Sequence, residues 1–331
     1  MAWLCGFAQN ALLVVFLVGA ASSFSGCSIL LNNTPCGETG GATEPSDTGT
    51  DTGQTAAERQ WLQITTGSLH TCGIDADGIL SCWGLDTDGQ ASPPDHPDTV
   101  LDISAGHAHS CAAFEGLDVG CWGRNDEGQT STPATILVQV DAGGAHSCGT
   151  DAGGTVSCWG RDTEGQSTVP ADLATPVEEV QAGWLTSCAR GTDGSLRCWG
   201  DDTTGLVSDA PAVSVASFTL GRDHALAAST DGSLLCWGST AVCDTVPAGL
   251  SAVAQVAAGR DWGCAWGPDQ PPVCFGDRTA VDPLFTDLPA TPPTTAGDSS
   301  PGALHACGID DSAGEAELVC WGHDEAGQLT P

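Results

Sequence analysis

The stretch GGAHSCGTDAGGTVSCWG, Gly143 to Gly160, places Cys148 and Cys158 on either side of a glycine turn and closes on Trp159-Gly160. If the two cysteines face each other, the turn centre falls at Gly153. The loop is then Ala152-Gly153-Gly154, with its last residue in the left-handed region that glycine enters without strain. Opposite residues of a non-hydrogen-bonded antiparallel pair lie about 4.5 Å apart at Cα, inside the span a disulfide bridges. The phrase therefore reads as a β-hairpin clamped by its own sulfurs. Glycine recurs at the same place as Gly78, Gly194 and Gly232.

The closing aromatic-glycine pair returns at Gly84, Gly123, Gly160, Gly200, Gly238, Gly276 (as Phe-Gly) and Gly322, in steps of 39, 37, 40, 38, 38 and 46 residues. Seven units of this length, rich in β-branched residues and turn signals, predict an all-β, seven-bladed β-propeller with short antiparallel blades. Each unit supplies one strand such as VLDISAG (Val100 to Gly106), a second such as HSCAAF, and a third such as VGCWG. The Pro-rich connection that follows is the expected place for a fourth. The hairpin rule pairs Cys72 with Cys82, Cys111 with Cys121, Cys148 with Cys158, Cys188 with Cys198 and Cys264 with Cys274, and Cys307 with Cys320 around a longer loop. In the fifth unit Leu226 replaces the first cysteine, so Cys236 is assigned to Cys243, and Cys36 is left as the odd thiol.

Forty-two acidic residues face eight basic ones, all arginine, for a formal charge of −34. Such a surface repels phosphate backbones and anionic headgroups, which argues against nucleic acid and against electrostatic membrane docking. Seventeen cysteines point to an oxidising compartment. The apolar run ALLVVFLVGA, Ala11 to Ala20, has the length of a signal-peptide core and is short of a spanning helix. Phe24-Ser25-Gly26-Cys27 resembles the lipobox of bacterial lipoproteins, although Phe24 replaces the usual leucine and the leader lacks Lys and Arg. The expected organisation is a lipoprotein-type signal peptide at 1–26, a lipid-anchored disordered linker at 27–58 with Cys27 lipidated, and the propeller at 59–331. Ser28 is not the aspartate associated with inner-membrane retention, so an outer-membrane lipoprotein of a Gram-negative-type bacterium is expected, facing the periplasm or the surface. The linker, Gly37 to Glu58, contains Asp47-Thr48-Gly49 and Asp51-Thr52-Gly53, the aspartic-protease triplet. Nothing apolar flanks either one to hold a dry carboxylate pair, so both read as spacer.

Taken together, Gly-x-x-His-Ser/Thr-Cys, Asp-Gly and Cys-Trp-Gly-x-Asn/Asp-x-x-Gly-Gln resemble the regulator of chromosome condensation repeat. The phrase is clearest in Ala105 to Cys111 with Cys121 to Gln129, and in Cys158 to Gln166. The resemblance runs from about Gln60 to Pro331 and implies a seven-bladed propeller. The nuclear members' chromatin binding and guanine nucleotide exchange do not suit an acidic, exported chain. Secreted bacterial relatives with similar repeat length include a β-lactamase-inhibitory protein that binds through one propeller face, which implies a protein-binding surface here.

Five histidines, His70, His109, His146, His224 and His305, stand two positions before the first cysteine or its equivalent, where Thr186 and Trp262 stand in the fourth and sixth units. Spread around a ring they cannot converge on one metal, so a blade-to-blade hydrogen bond is expected. Trp83, Trp122, Trp159, Trp199, Trp237 and Trp321, with Phe275, are expected to pack between blades. Trp184, Trp262 and Trp266 break the pattern and are the candidate binding surface. The acidic turns Leu85 to Gln90, Arg124 to Gln129, Arg161 to Gln166 and His323 to Gln328 lack the full calcium-loop series. Calcium is the one cofactor they suggest, and tight-turn chemistry accounts for them without it. No nucleophile elbow or zinc-protease helix is present, and the absence of lysine removes Schiff-base and P-loop chemistry. The expected function is a monomeric, non-catalytic, cofactor-free module at the cell envelope that binds an unidentified protein or glycan. A propeller hydrolase or lyase, or a structural surface component, is the alternative.

Overall fold

The computed structural model describes residues 59–116, 118–173, 176–268, 270–276, 295–296, 298–299, 303–310 and 317–331. The signal segment, Cys27, Cys36 and both Asp-Thr-Gly triplets lie outside the described residues. Among the described residues no helix is long and apolar enough to cross a membrane.

Seven small antiparallel sheets follow one another along the chain. Blade one is β1 (Trp61–Thr66), β2 (His70–Asp75) and β3 (Leu80–Gly84), and blade two is β4 (Val100–Ala105), β5 (His109–Phe114) and β6 (Val119–Gly123). Blade three is β7 (Gln139–Ala142), β8 (His146–Thr150) and β9 (Val156–Gly160), and blade four is β10 (Val177–Ala182), β11 (Thr186–Gly191) and β12 (Leu196–Gly200). Blade five is β13 (Val215–Leu220), β14 (His224–Ser229) and β15 (Leu234–Gly238), followed by the single-turn α1 (Thr240–Cys243). Blade six is β16 (Gln255–Ala258), β17 (Trp262–Trp266) and β18 (Val273–Gly276). Blade seven joins β19 (Thr295–Ala296) to β21 (His305–Asp310) and β22 (Glu317–Gly322), while β20 (Asp298–Ser299) pairs parallel with β1 of blade one. Among the described residues the Pro-rich connections hold no fourth strand: they form turns and, after blade five, α1, and each complete blade keeps three strands of its own. Proline has no N–H to give a ladder, so these segments are poor edge strands.

The hairpin reading holds in detail. Cys148 lies opposite Cys158, Asp151 N donates to Thr155 O at 3.0 Å, and Gly154 closes the loop at φ +76°. Seven disulfides join the pairs inferred from spacing; in the hairpin blades the linked Cα atoms are 4.0–4.1 Å apart. The fifth, Cys236–Cys243, ties β15 to α1.

A repeated relay joins one blade to the next. His70 Nε2 meets Ser110 Oγ at 2.9 Å, His109 meets Ser147 at 2.9 Å, and His146 meets Ser187 at 2.8 Å. Each serine hydroxyl donates in turn to a main-chain carbonyl, Gln90 O, Gln129 O or Gln166 O. Its proton is thereby committed, so it accepts from the imidazole, and Nε2 carries the hydrogen. His224 Nε2 donates to Trp262 O, and His305 reaches Thr71 Oγ1 at 2.7 Å, which closes blade seven on blade one. The same glutamine carbonyls accept from the tryptophans of the following blade: Trp122 Nε1 to Gln90 O, Trp159 to Gln129 O, Trp199 to Gln166 O, and Trp83 to Gln328 O. Trp83, Trp122, Trp159, Trp199 and, through Leu206 O, Trp237 are therefore both packed and hydrogen-bonded between blades, whereas the Trp321 indole is packed in the core with no hydrogen-bond partner among the described residues. Burial pushes His70 and His146 down to about 4 against the weaker pull of Asp86 and Asp162, and His224 to about 4; burial together with neighbouring histidines takes His109 and His305 to about 3.

The first strands neighbour one another around the ring, and their polar side chains add a second set of clasps. Asp102 accepts from Gln63 Nε2 at 2.7 Å and from Val140 N at 2.8 Å; Asp141 accepts from Ser104 Oγ at 2.7 Å and from Ala182 N. Burial raises these carboxyls to about 6 and about 7. Their oxygens are spent on blade-to-blade bonds, so this pair is structural in its geometry.

Candidate binding site at the mouth of the ring

In blades one to six the first strand runs into a glycine that opens the loop to the second strand. Glycine is required there, because a Cβ on Gly67 would lie 2.2 Å from His70 Cε1 and 2.7 Å from Gly106 O. The loops of successive blades consequently abut. His107 N donates to Gly143 O at 3.0 Å, Gly144 N to Gly183 O at 3.0 Å, Arg222 N to Gly259 O at 3.2 Å, and Arg260 N to Ala303 O at 3.3 Å. They form a collar around one mouth of the ring, and the residue after the opening glycine is free to vary because the backbone alone makes the bond.

Those variable positions carry the chemistry. His107 Nδ1 meets Ser68 Oγ at 2.7 Å and sets its ring edge-on to Trp184 at 4.8 Å. The Arg222 guanidinium lies over the Trp184 ring at 5.5 Å. This contact spans a break in the collar. A Cβ on Gly183 would meet Leu220 Cδ1 at 3.2 Å, whereas on Gly106, Gly143, Gly221 or Gly259 it would meet the next loop's carbonyl at 2.4–2.7 Å. Beside Trp184 is a cavity of about 230 Å³ whose walls include His107, Arg124, Ala145, Arg161 and Leu185.

Arginine is concentrated at this mouth, each one beside a carboxylate, and Asp126 and Glu127 also line the cavity. Of the eight basic residues, Arg124, Arg161, Arg222 and Arg260 gather around the mouth. Burial depresses the His107 pKa first, and Arg124, Arg222 and Arg260 lower it further against the opposing pull of Asp88. Arg124 is held by Asp126 at 2.6 Å and Arg161 by Glu164 at 2.7 Å. Arg222 is held more loosely: its Nε is shielded from water without a hydrogen-bond acceptor, and Asp223 Oδ2 is 3.7 Å away.

Of the three tryptophans singled out by sequence, only Trp184 is in this site. Trp262 and Trp266, 0% and 2% exposed, are buried in the core shared with Ala303, Ala306 and Trp321 and present no surface. Trp262 occupies the histidine position of its blade and does a histidine's work, since its Nε1 donates to Ala303 O of blade seven at 2.8 Å. The acidic turns spend their carboxyl and amide oxygens on backbone N–H groups: Asp86 accepts from Ala91 N, Asn125 from Thr130 N, Asp162 from Ser167 N and Asp324 from Leu329 N. Among the described residues no group of three metal-ligating side chains is arranged to hold an ion. His107, Arg222 and Arg260 were missed by sequence reasoning. Aligning the repeats on their opening glycines would have flagged the position, which reads Ser68, His107, Gly144, Trp184, Arg222, Arg260 and Ala303.

A family model described as the Regulator of chromosome condensation (RCC1) repeat matches residues 61–90, 137–166 and 177–205. No curated protein matches the chain. Among solved structures it is similar to the ectodomain of the Physcomitrella patens receptor kinase CR4, with 24% identity and a TM-score of 0.65 over 80% of this chain and 74% of that one. It is also similar to the CRINKLY WD40 ectodomain of the Arabidopsis thaliana receptor kinase ACR4, with 20% identity and a TM-score of 0.63 over 80% and 98%. Prp20p of Saccharomyces cerevisiae, described with its binding to Gsp1p and histones, shares 19% identity and a TM-score of 0.58 over 79% and 82%. At these identities the likeness establishes the fold.

Proposed function

We propose that this chain, an RCC1-repeat propeller by its repeats and its fold, is an exported module that binds another protein through the collar around Trp184, without catalysis and without a cofactor. The observation that carries the reading is the Ser68–His107–Trp184–Arg222 chain of contacts beside an open cavity. Elsewhere the repeats devote their distinctive side chains to holding blades together; here buried Ser68 anchors His107, and three unlike side chains, His107, Trp184 and Arg222, are held in place at a half-exposed surface. Rigid presentation of an aromatic and a guanidinium is what interface hot spots require. The description of Prp20p by its binding to Gsp1p and histones shows the same fold used for protein recognition. Seven disulfides support export to an oxidising compartment. Lipidation of Cys27, an outer-membrane location and a monomeric state complete the proposal.

The test is capture from native envelope by the mature chain and by its Trp184→Ala variant, with melting curves to show that both are folded. One protein retained by the first and lost by the second supports the reading; identical captured sets overturn it. Turnover of an envelope polysaccharide, abolished by one Asp or Glu substitution, would replace the binding module with an enzyme.

A further inference from the structure

We propose that the mouth takes a ligand carboxylate on Arg222 and Arg260, with the apolar residue next to that carboxylate seated against Trp184. This rests on the binding-module reading and names the chemistry of its ligand, an acidic peptide segment. The first observation is that the Arg222 side chain, 37% exposed, has no hydrogen-bond acceptor at Nε, its neighbouring carboxylate Asp223 lying 3.7 Å away, so the guanidinium's outward face is free to take one. The second is preorganisation: the Trp184 ring under the guanidinium at 5.5 Å fixes the plane of the fork before anything binds. The third is register. Arg222 and Arg260 hold the same place on adjacent loops, tied by the Arg222 N to Gly259 O bond at 3.2 Å, and both guanidiniums act electrostatically on His107, while Arg260 also borders a neighbouring cavity of about 90 Å³ with Asp223 and Asp261. Their own carboxylates, Asp223 at 3.7 Å and Asp261 at 3.2 Å, are in half-exposed pairs of the kind worth little. A bidentate ligand carboxylate can displace such contacts.

Trp184 also borders the cavity of about 230 Å³ with Ala145 and Leu185, room for a side chain rather than a polymer. A peptide with an acidic and an apolar residue side by side supplies both groups. Protonated His107 would add a cation, but its depressed pKa leaves recognition to the arginines.

The test measures binding of a fluorescent peptide of alternating Glu and Leu, its Gln-Leu counterpart and an oligouronate to the full mature chain at low and moderate salt. Arg222→Gln and Arg260→Gln are compared with Arg197→Gln, which removes an equal charge from an exposed site on β12. Folding of each variant is checked by its melting curve. The expected result is binding of the Glu-Leu peptide that weakens with salt, falls about 10-fold in each mouth variant, and is unchanged in Arg197→Gln. Arg222→Lys should recover only part of the loss, because a point charge lacks the fork. No binding of the Glu-Leu peptide, equal binding of the Gln-Leu peptide, preference for the oligouronate, or indifference to both mouth substitutions would overturn the assignment. The two proposals separate cleanly. An envelope partner lost with Trp184→Ala but retained by Arg222→Gln and Arg260→Gln leaves the binding module standing and removes the carboxylate.

Discussion

Mild acid should loosen the ring before ordinary carboxylates protonate. His70, His109, His146, His224 and His305 are neutral with Nε2–H donating to the next blade, and each Nδ1 is buried without a partner. Protonation would place a charged N–H at that position with nothing to receive it. Their folded pKa values of about 3 or about 4 lie below the ordinary 6.5. The unfolded chain therefore takes up protons first, and the stabilisation present above about pH 6.5 is lost as pH falls. At about pH 5 the cost is about 2 kcal/mol per histidine, or about 10 kcal/mol for five. Asp102 and Asp141 act in the opposite sense. With folded values of about 6 and about 7 against 3.8, they bind protons more readily in the native state. Acidification from about pH 7 to about pH 5 returns about 4 kcal/mol from these two. The net loss of about 6 kcal/mol is comparable to the whole stability of an ordinary domain. Melting followed by circular dichroism at fixed moderate salt should show Tm falling on the order of 15 °C across that interval. His146→Gln keeps a donor for Ser187 and removes one titration, so its pH dependence should be shallower by about one histidine's share, about 2 kcal/mol. A Tm that stays level or rises toward pH 5 would refute the assignment of neutral, Nε2-protonated histidines.

Other perturbations separate the remaining contacts. Trp122→Phe keeps the aromatic bulk but deletes the indole N–H that meets Gln90 O at 2.9 Å, and should cost about 1–2 kcal/mol in urea unfolding. Gly154→Val and Gly89→Ala both burden a positive φ. Only the first drives a Cβ to 2.7 Å from Val177 N, so it should lose at least about 1 kcal/mol more than the second by the same assay. Replacing Cys148 and Cys158 together by Ala should lower stability by about 2–3 kcal/mol yet leave the near-ultraviolet dichroism of a closed ring, because the relay to Ser187 does not depend on that bridge. Non-reducing peptide mapping of the unmodified chain should recover Cys148 linked to Cys158.

The hairpins, their left-handed glycines and all seven sulfur pairings were legible in the sequence because each closes within ten or so residues, where local geometry leaves one solution. The histidine position was legible as a bond between blades, since a residue recurring at one phase of every repeat meets its neighbour at one phase too. What receives that bond was not: the acceptor is the Ser that follows the next blade's own histidine, about forty residues on, and its orientation depends on a third group, the glutamine carbonyl. Departure from the repeat singled out Trp184, which lies at the mouth of the ring, together with Trp262 and Trp266, which are buried. A residue that breaks a pattern can be a surface novelty or a replacement filling the same buried slot, and only packing distinguishes the two. Arg222 and Arg260 stand thirty-eight residues apart in the chain and look like ordinary loop residues. Packing of successive blades side by side brings them to one mouth with Trp184, because adjacency between blades is a property of how they are arranged and leaves no trace within a single blade.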